Sequence, residues 1–312
     1  MRVLVTGGAG FVGSHVVERL RAAGDDIAVI DNFTTGRRDT LAAFGSVVQV
    51  TDIDIADDQA VETVMAAFRP EVVLHCAASY KDPRDWAGDV RTNVLGTVAV
   101  VRAARAHDVR RLVYLQTALC YGGQPESSPV RRDHPLRPEN SYAISKTAGE
   151  RYIALSGLDY LSFRLANVYG PRNLTGPVSA FYTRLAAGTP CVVFDTRRDF
   201  VFVDDLVTLL LAALRGVGRP GVYHASSGRD YAIHEVYAAV AAAMGVERAA
   251  EQRPRAPHDA ASILLDPTDT SAEFGWTPTT PLATGVRCAV EWYCRHGIDR
   301  AYSHLGTPPV GR

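Results

Sequence analysis

The sequence predicts an α/β fold, a doubly wound parallel sheet followed by a smaller C-terminal lobe, and three observations carry that prediction. The chain opens on an apolar strand, Arg2-Val3-Leu4-Val5-Thr6, that runs into the glycine turn Gly7-Gly8-Ala9-Gly10-Phe11-Val12-Gly13 and then into apolar residues at helical spacing from Ser14 to Ala23. Short apolar strands and helical segments then alternate, the pattern of a parallel sheet covered by helices. Third, Ser141-Tyr142-Ala143-Ile144-Ser145-Lys146 places a tyrosine and a lysine four residues apart at the start of a predicted helix, on one face of it.

Composition sets the frame. A chain of 312 residues, 47% hydrophobic and 21% charged, is long enough for one large α/β domain with a smaller lobe. Its formal net charge of -1 gives no electrostatic case for nucleic acid or a membrane surface as partner. The N-terminus enters a strand with no basic leader or cleavage site, and no uninterrupted apolar span approaches membrane length, so a cytoplasmic protein is expected. Five cysteines, Cys76, Cys120, Cys191, Cys288 and Cys294, are an odd number without CxxC spacing. That pattern suits reduced thiols, and no metal is expected.

In the first unit of the pattern, glycines let the backbone turn sharply and approach a pyrophosphate, while a helix N-terminus offers free N–H groups to the anion. Gly7, Gly10, Phe11, Val12 and Gly13 are therefore candidate cofactor contacts in a Rossmann-type domain. The next strand, Ile27-Ala28-Val29-Ile30, ends at Asp31, where that fold puts an acid on the adenosine ribose hydroxyls. An acid there repels a 2′-phosphate, so the cofactor is expected to be NAD, although Arg37 and Arg38 follow closely.

Val47-Val48-Gln49-Val50 reads as the third strand, leading into Thr51-Asp52-Ile53, and Glu71-Val72-Val73-Leu74-His75 as the fourth, ending in Cys76-Ala77-Ala78. Small residues at that strand end leave room for a cofactor. A helix is expected around Val90 to His107, then a strand Arg111 to Gln116 ending at Thr117, at the carboxyl edge where doubly wound folds hold ligands. A helix from Tyr142 to Leu155 and a strand from Asp159 to Leu165 complete the alternation. Asn167-Val168-Tyr169-Gly170-Pro171-Arg172 breaks it, which places the handover to the second lobe there. Residues 1–170 are thus expected to be the cofactor domain, with later strands returning to it, and 171–312 mainly the second lobe. The tail from Gly306 to Arg312, with two prolines and two glycines, is expected to be poorly ordered.

Thr6-Gly7-Gly8-Ala9-Gly10-Phe11-Val12-Gly13, Asp31-Asn32, Thr117 before Tyr121-Gly122, and Tyr142 with Lys146 together resemble the extended short-chain dehydrogenase/reductases, specifically the nucleotide-sugar epimerase and dehydratase family. Asn167 to Arg172, Arg198 to Asp205 and Phe274-Gly275-Trp276-Thr277-Pro278 look like the same family's downstream landmarks, so the resemblance spans nearly the whole chain. It implies that Tyr142 takes a proton from a sugar hydroxyl, that Lys146 lowers the phenol pKa and bonds the nicotinamide ribose, and that Thr117 shares the hydrogen bond to that hydroxyl. It further implies Asn32, Asp52, Ile53, Ala77, Ala78, Lys81 and Asn93 as cofactor or supporting residues. Asn167, Arg198 and Asp259 fall where the family holds the diphosphate and nucleoside ribose. Apolar faces on the helices at Val90 to His107 and Tyr142 to Leu155 could form the two-fold four-helix interface common in that family, making a homodimer, or each could be filled by its own sheet.

The activity implied is NAD-dependent 4-epimerisation of a nucleotide-diphosphate sugar, a UDP-hexose or UDP-uronic acid, through a transient 4-keto sugar. The family's dehydratases follow the threonine with an acidic pair, whereas this chain has Thr117-Ala118-Leu119, so dehydration falls behind epimerisation. A 4-reductase of the same family and a non-catalytic dinucleotide-sensing protein are the alternatives. Lys81 or Arg84 pairing with a sugar carboxylate would mark a uronate substrate, against which stands a cofactor contact or a solvated loop charge. His75 reads as a hydrogen-bonded structural histidine, Cys120 as a packing residue and Trp276 as an anchor of the second lobe.

Overall fold

The computed structural model describes residues 1–80, 82–255 and 261–298; two of the expected site residues, Lys81 and Asp259, and the C-terminal tail lie outside them. Seven strands form the central sheet: β1 (Arg2–Thr6), β2 (Asp26–Ile30), β3 (Val48–Thr51), β4 (Val72–His75), β5 (Arg111–Thr117), β6 (Tyr160–Leu165) and the strand Gly221–Ala225. Their spatial order is Gly221–Ala225, β6, β5, β4, β1, β2, β3. From β5 to β3 every neighbouring pair is parallel. The apolar runs follow from this arrangement, because a strand covered on both faces has no polar side to show. Val3, Leu4 and Val5 of β1 and Val72, Val73 and Leu74 of β4 are all fully buried.

The chain leaves β1 towards β2 and β3, then returns to lay β4 on the other flank of β1. The gap between β1 and β4 is therefore the topological switch point, where open α/β sheets hold their ligands. Thr6 and His75 are register partners there.

The helices of this half are α1 (Phe11–Ala22), α2 (Arg38–Ala42), α3 (Asp58–Phe68), α4 (Trp86–Asp89), α5 (Thr97–Ala106) and α6 (Ser141–Leu155). Val61 and Met65 of α3, with Val100 and Ala104 of α5, close one core cluster over Leu4, Val73 and Leu112 of the sheet. α6 starts where Asn140 accepts a hydrogen bond from the Ala143 N–H at 2.8 Å, the side-chain cap that fixes the first turn.

Two elements differ from expectation. The third strand begins one residue later, after a 3-10 turn at Gly45–Val47. The single helix expected around Val90 to His107 is instead a π-helical segment, Val90–Gly96, that runs on into α5. A π turn holds more than four residues, so positions four apart stay on nearly one face. Asp89, Asn93 and Thr97 are all buried in consequence, and the Thr97 hydroxyl donates to the Asn93 carbonyl at 2.8 Å.

The chain forms two compact units. One comprises Met1–Cys120, Pro138–Arg164 and Val207–Tyr223; the other comprises Tyr121–Arg137, Leu165–Leu206 and the chain from His224 onwards. In the second unit the strand Arg197–Phe202 pairs with Asn167–Tyr169, Ser262–Ile263 and Asp230–Ala232. Trp276 is buried there with its indole N–H donating to the Asp205 carbonyl at 2.9 Å, an anchor as expected. Among the described residues no helix is long and apolar enough to cross a membrane.

Candidate active site

The glycine turn closes tightly on the switch point. Gly7 has φ of 69° and a side-chain carbon on it would meet the Ala77 backbone nitrogen at 2.7 Å, so neither the conformation nor the space admits another residue. A carbon on Gly13 would meet the Gly7 carbonyl at 2.3 Å, which is how α1 packs close under the turn. The Gly10 N–H donates to the Gly7 carbonyl at 3.1 Å, and no side chain caps the N-terminus of α1 at Gly10. Phe11, Val12 and Gly13 thus open a helix whose first N–H groups are left for an anion. Ala77 and Ala78 lie on the facing strand end, the Ala77 N–H donating to the Thr6 hydroxyl at 3.3 Å.

Asp31 is buried at the end of β2 and its two oxygens accept from the Ala9 and Phe33 N–H groups, each at 2.8 Å. Burial pushes its carboxyl above the usual range, against the pull of those two N–H groups. Arg37 pairs with Asp39 at 2.6 Å, and Arg38 pairs with Asp52 while its guanidinium lies 3.8 Å from the Phe33 ring centroid. Both arginines have acids of their own, and the acid at the end of β2 is buried. That combination fits a dinucleotide with free ribose hydroxyls. Asn32 is exposed and accepts from the Thr34 N–H at 3.1 Å; Ile53 packs partly buried against the core cluster.

Tyr142 and Lys146 stand one turn apart on α6, with Tyr142 partly buried and Lys146 2% exposed. The resemblance implied a phenol pKa lowered by the ammonium. In the structure desolvation raises the Tyr142 phenol above its ordinary value, and Tyr80 and Asp89 push it the same way. The Lys146 ammonium lies 3.9 Å from the centroid of the Tyr114 ring, and burial lowers its pKa to about 7 against the pull of Cys76 and Glu150. A lysine stripped of water in this way is only partly charged at neutral pH. The same burial pushes the Cys76 thiol up to about 12.

Asn93 ties this helix to the segment after β4. Its amide nitrogen donates to the Ser79 carbonyl and to the Ser145 hydroxyl, both at 3.0 Å, and its oxygen accepts from the Ser79 N–H at 2.8 Å. Ser145 in turn donates to the Tyr142 carbonyl at 2.9 Å. Thr117 ends β5, its hydroxyl accepting from the Leu119 N–H at 3.2 Å and its own N–H donating to the Gln116 side-chain oxygen at 2.8 Å. His75 is enclosed between the Thr6 and Thr97 hydroxyls at 2.6 and 3.0 Å, and burial lowers its pKa to about 3. A neutral imidazole held on both nitrogens is structural, as expected. Cys120 is fully buried and its thiol is pushed up to about 12, again by burial.

In the second unit, the Asn167 amide donates to the Asp199 carbonyl at 3.1 Å, one strand over from Arg198. Asp199 itself is buried, accepts from the Ser226 and Ser227 hydroxyls at 2.5 and 2.6 Å, and titrates near 6 because of burial. Arg84 of the loop after β4 is exposed and bound to Asp82 at 3.1 Å. Among the described residues no group of three or more His, Cys, Asp or Glu side chains is set to hold a metal. Sequence reading missed Ser79, Tyr80 and Asp89; the available signal was the interval of four between Asp89 and Asn93.

Replacing Lys146 with Met is expected to raise thermal stability at neutral pH. The folded-state pKa near 7 lies below that of a free lysine, so between about pH 7 and 10.5 the unfolded chain binds a proton that the folded chain has released. The cost of the buried cation is thus fully present below pH 7 and fades as pH rises through that window. The variant should melt higher at pH 6.5, by roughly 2–4 °C per kcal/mol recovered, and the gain should shrink by pH 9. Scanning fluorimetry at the two pH values decides it; a lower melting point at pH 6.5 would show that Lys146 is stabilising where it stands.

A sequence model described as the NAD dependent epimerase/dehydratase family matches residues 3–226. The chain is 35% identical over 310 residues to a UDP-glucose 4-epimerase of Mycolicibacterium smegmatis, covering 94% of this chain and 98% of that one. Among solved structures it resembles the Bordetella bronchiseptica enzyme WbmH in complex with NAD+, at 47% identity and a TM-score of 0.92, covering 95% of this chain and 99% of that one. It also resembles the WbmG enzyme of the same organism in complex with NAD and UDP, at 39% identity and a TM-score of 0.89, over 97% of each chain.

Proposed function

The chain belongs to the NAD-dependent epimerase/dehydratase family, and within it we propose that this protein is a 4-epimerase of a nucleotide-diphosphate sugar, a UDP-hexose or UDP-uronic acid. The observation that carries the reading is the Tyr142, Lys146 and Asn93 assembly in the same unit as a glycine turn fitted to NAD. Gly7, Gly10, Phe11, Val12 and Gly13 hold the pyrophosphate on the N-terminus of α1, and Asp31 takes the adenosine ribose, with Asn32, Asp52 and Ile53 beside the adenine. We assign Ala77, Ala78 and Lys81 to the cofactor. Bound NAD supplies a hydride acceptor at C4 of the sugar and returns the hydride once the 4-keto sugar has turned over.

Tyr142 takes the proton of the C4 hydroxyl as that hydride leaves, and gives it back on the return. Thr117 holds the same hydroxyl. Lys146, one turn along α6, bonds the nicotinamide ribose. We assign Asn167, Arg198 and Asp259 to the diphosphate and nucleoside ribose, for which the planar fork of arginine gives bidentate bonds. The residues after Thr117 are Ala118 and Leu119, and neither can donate or accept the proton that elimination of water from the sugar requires. Uridine is the base that fits relatives named for UDP-sugars.

Incubating the protein with NAD and no other reductant against UDP-hexoses and UDP-uronic acids, with C4 configuration followed by NMR, tests this. Inversion without net NADH supports it; a 4-keto-6-deoxy product without net NADH overturns it in favour of a dehydratase, and net NADH with a 4-keto sugar that keeps its C6 oxygen, the reverse of reduction, in favour of a reductase.

The oligomer proposed with this activity is a homodimer through α6 and the π-helical segment. Leu155 is 80% exposed and Ile144 53% exposed, and with Tyr152 they follow one face of α6, while Val90 and Leu95 stand exposed on the neighbouring segment. Large apolar side chains in such a row signal a covered surface. Leu155→Glu with Ile144→Glu is expected to halve the mass read by light scattering; an unchanged mass, or a monomeric parent protein, rules the interface out.

A further inference from the structure

Asp31 and Asp52 follow neighbouring strand ends at the carboxyl edge of the sheet. Each comes directly after one of the register partners Ile30 and Thr51, and the Asp31 N–H donates to the Thr51 carbonyl at 3.2 Å. The chain that leaves Asp31 is pressed back onto the glycine turn. The Arg37 N–H donates to the Ala9 carbonyl at 3.1 Å, and a side-chain carbon on Gly36 would meet the Ala9 Cβ at 2.7 Å and an Asp31 carboxylate oxygen at 2.9 Å. Arg38, the first residue of α2, is thereby delivered next to both acids.

Its guanidinium reaches fourteen residues along the chain to the Asp52 carboxylate, and its Cζ lies 3.8 Å from the centroid of the Phe33 ring. Phe33 itself has a left-handed backbone, with φ of 55°, a conformation that a bulky side chain rarely adopts. The Asp31 carboxylate holds it there by accepting the Phe33 N–H at 2.8 Å. A solvated ion pair needs none of this. The neighbouring Arg37 pairs with Asp39, two residues on, through contacts of 3.0 and 2.6 Å, and exposed pairs of that kind contribute little. Arg38 gives its edge to Asp52 and one flat face to Phe33, while its side chain stays 65% exposed. The opposite face of a planar, weakly hydrated cation is left for a ligand.

We propose that Arg38 is a cofactor-binding residue whose guanidinium, laid on Phe33 and aligned by Asp52, is the platform on which the adenine of NAD stacks. Arg38 is bonded to the acid assigned to the adenine and rests on the ring pinned by the acid assigned to the ribose, so it meets the base that an adenosine places there. A purine offers a π face that attracts a cation and stacks on a plane. The same arrangement turns this arginine to the base and away from a 2′-phosphate, in keeping with NAD as the cofactor.

The inference rests on the assignment of the adenosine to Asp31 and Asp52, and its test reads cofactor exchange instead of turnover. The holoenzyme is loaded with NAD, and replacement of bound NAD by isotopically labelled NAD is timed by mass spectrometry in the parent, Arg38→Ala and Arg38→Lys. Arg38→Ala should exchange about tenfold faster. Arg38→Lys keeps the charge and loses the plane, and should exchange nearly as fast as Arg38→Ala. Exchange in Arg38→Ala that is slower than the parent, or faster by less than about twofold, overturns the proposal. Full rescue by lysine overturns it too, because a charge near the diphosphate would then be all that Arg38 supplies. So does a loss of NADP binding in Arg38→Ala that exceeds the loss of NAD binding, since the arginine would then serve a 2′-phosphate. Asp31→Ala checks the premise: exchange like the parent's removes the adenosine from this edge and the platform with it, whereas fast exchange in Asp31→Ala beside unchanged exchange in Arg38→Ala removes the platform alone.

Discussion

Tyr142→Phe is expected to lower C4 inversion by about 10²–10⁴-fold, the range that one positioned proton-transfer group contributes, while the protein keeps its NAD and its melting temperature. The substitution removes one oxygen and retains the ring, so packing at the start of α6 is preserved. Asn140 still caps the helix through the Ala143 N–H, a contact without residue 142, and Ser145 still donates to the residue 142 carbonyl, a backbone atom that phenylalanine also has. The loss should appear in kcat with little change in KM, since the phenol bears on the transition state more than on ground-state binding. Inversion measured by NMR on the substrate found in the panel, with bound NAD measured after denaturation, separates the two effects. Turnover within a few-fold of the parent would remove Tyr142 from the chemistry.

Removing Arg164 should damage the fold as severely as removing the Tyr142 hydroxyl damages turnover. Arg164 on β6 meets Glu150 on α6 through two contacts, Nη2 to Oε1 at 2.6 Å and Nε to Oε2 at 3.3 Å, and the Ser162 hydroxyl donates to the same carboxylate at 2.7 Å. Both side chains are almost fully enclosed, 6% and 3% exposed. Arg164→Met leaves Glu150 with one neutral donor in place of a cation, and breaking a buried pair from one side costs about 3–5 kcal/mol. For a unit of this size that is a melting point lower by roughly 6–20 °C. Glu150→Met together with Arg164→Met removes both charges and should recover most of the loss, because the penalty lies in the unpaired ion. If the single variant melts within about 2 °C of the parent, a cost below about 1 kcal/mol, the pair is not what holds α6 to the sheet.

The two effects meet in α6. Its outer turn carries Tyr142 and its inner turns carry Lys146 and Glu150, so the ion pair that anchors the helix also fixes where the phenol stands. The resting site differs from a ready-made phenolate. Burial raises the phenol and lowers the ammonium, which leaves the proton on oxygen and the lysine only part-charged at neutral pH.

Much of this was legible in the sequence because it depends on neighbours along the chain. The strand, glycine turn and helix at 2–23 read correctly, since apolar period, positive φ at Gly7 and close approach at Gly13 are local demands met by residue type. The interval of four between Tyr142 and Lys146 likewise put both residues on one helix, α6. His75 and Trp276 fell into their expected places for the same reason: a polar ring in an apolar run must find partners nearby, and each did.

The tertiary structure decided the rest. Which way the Tyr142 phenol is shifted follows from how much water the fold removes and from Tyr80, Tyr114 and Asp89, which reach it from other elements. The π-helical turns at Val90–Gly96, where an α-helix was expected, carry the buried Asn93 and Gly96. The Arg164 and Glu150 pair joins residues that share no motif. Residue types and their spacing along the chain determined the fold class and the identity of the chemical groups. Solvation and long-range charge set the protonation state of those groups, and these depend on what surrounds each atom in space, which only the folded chain supplies.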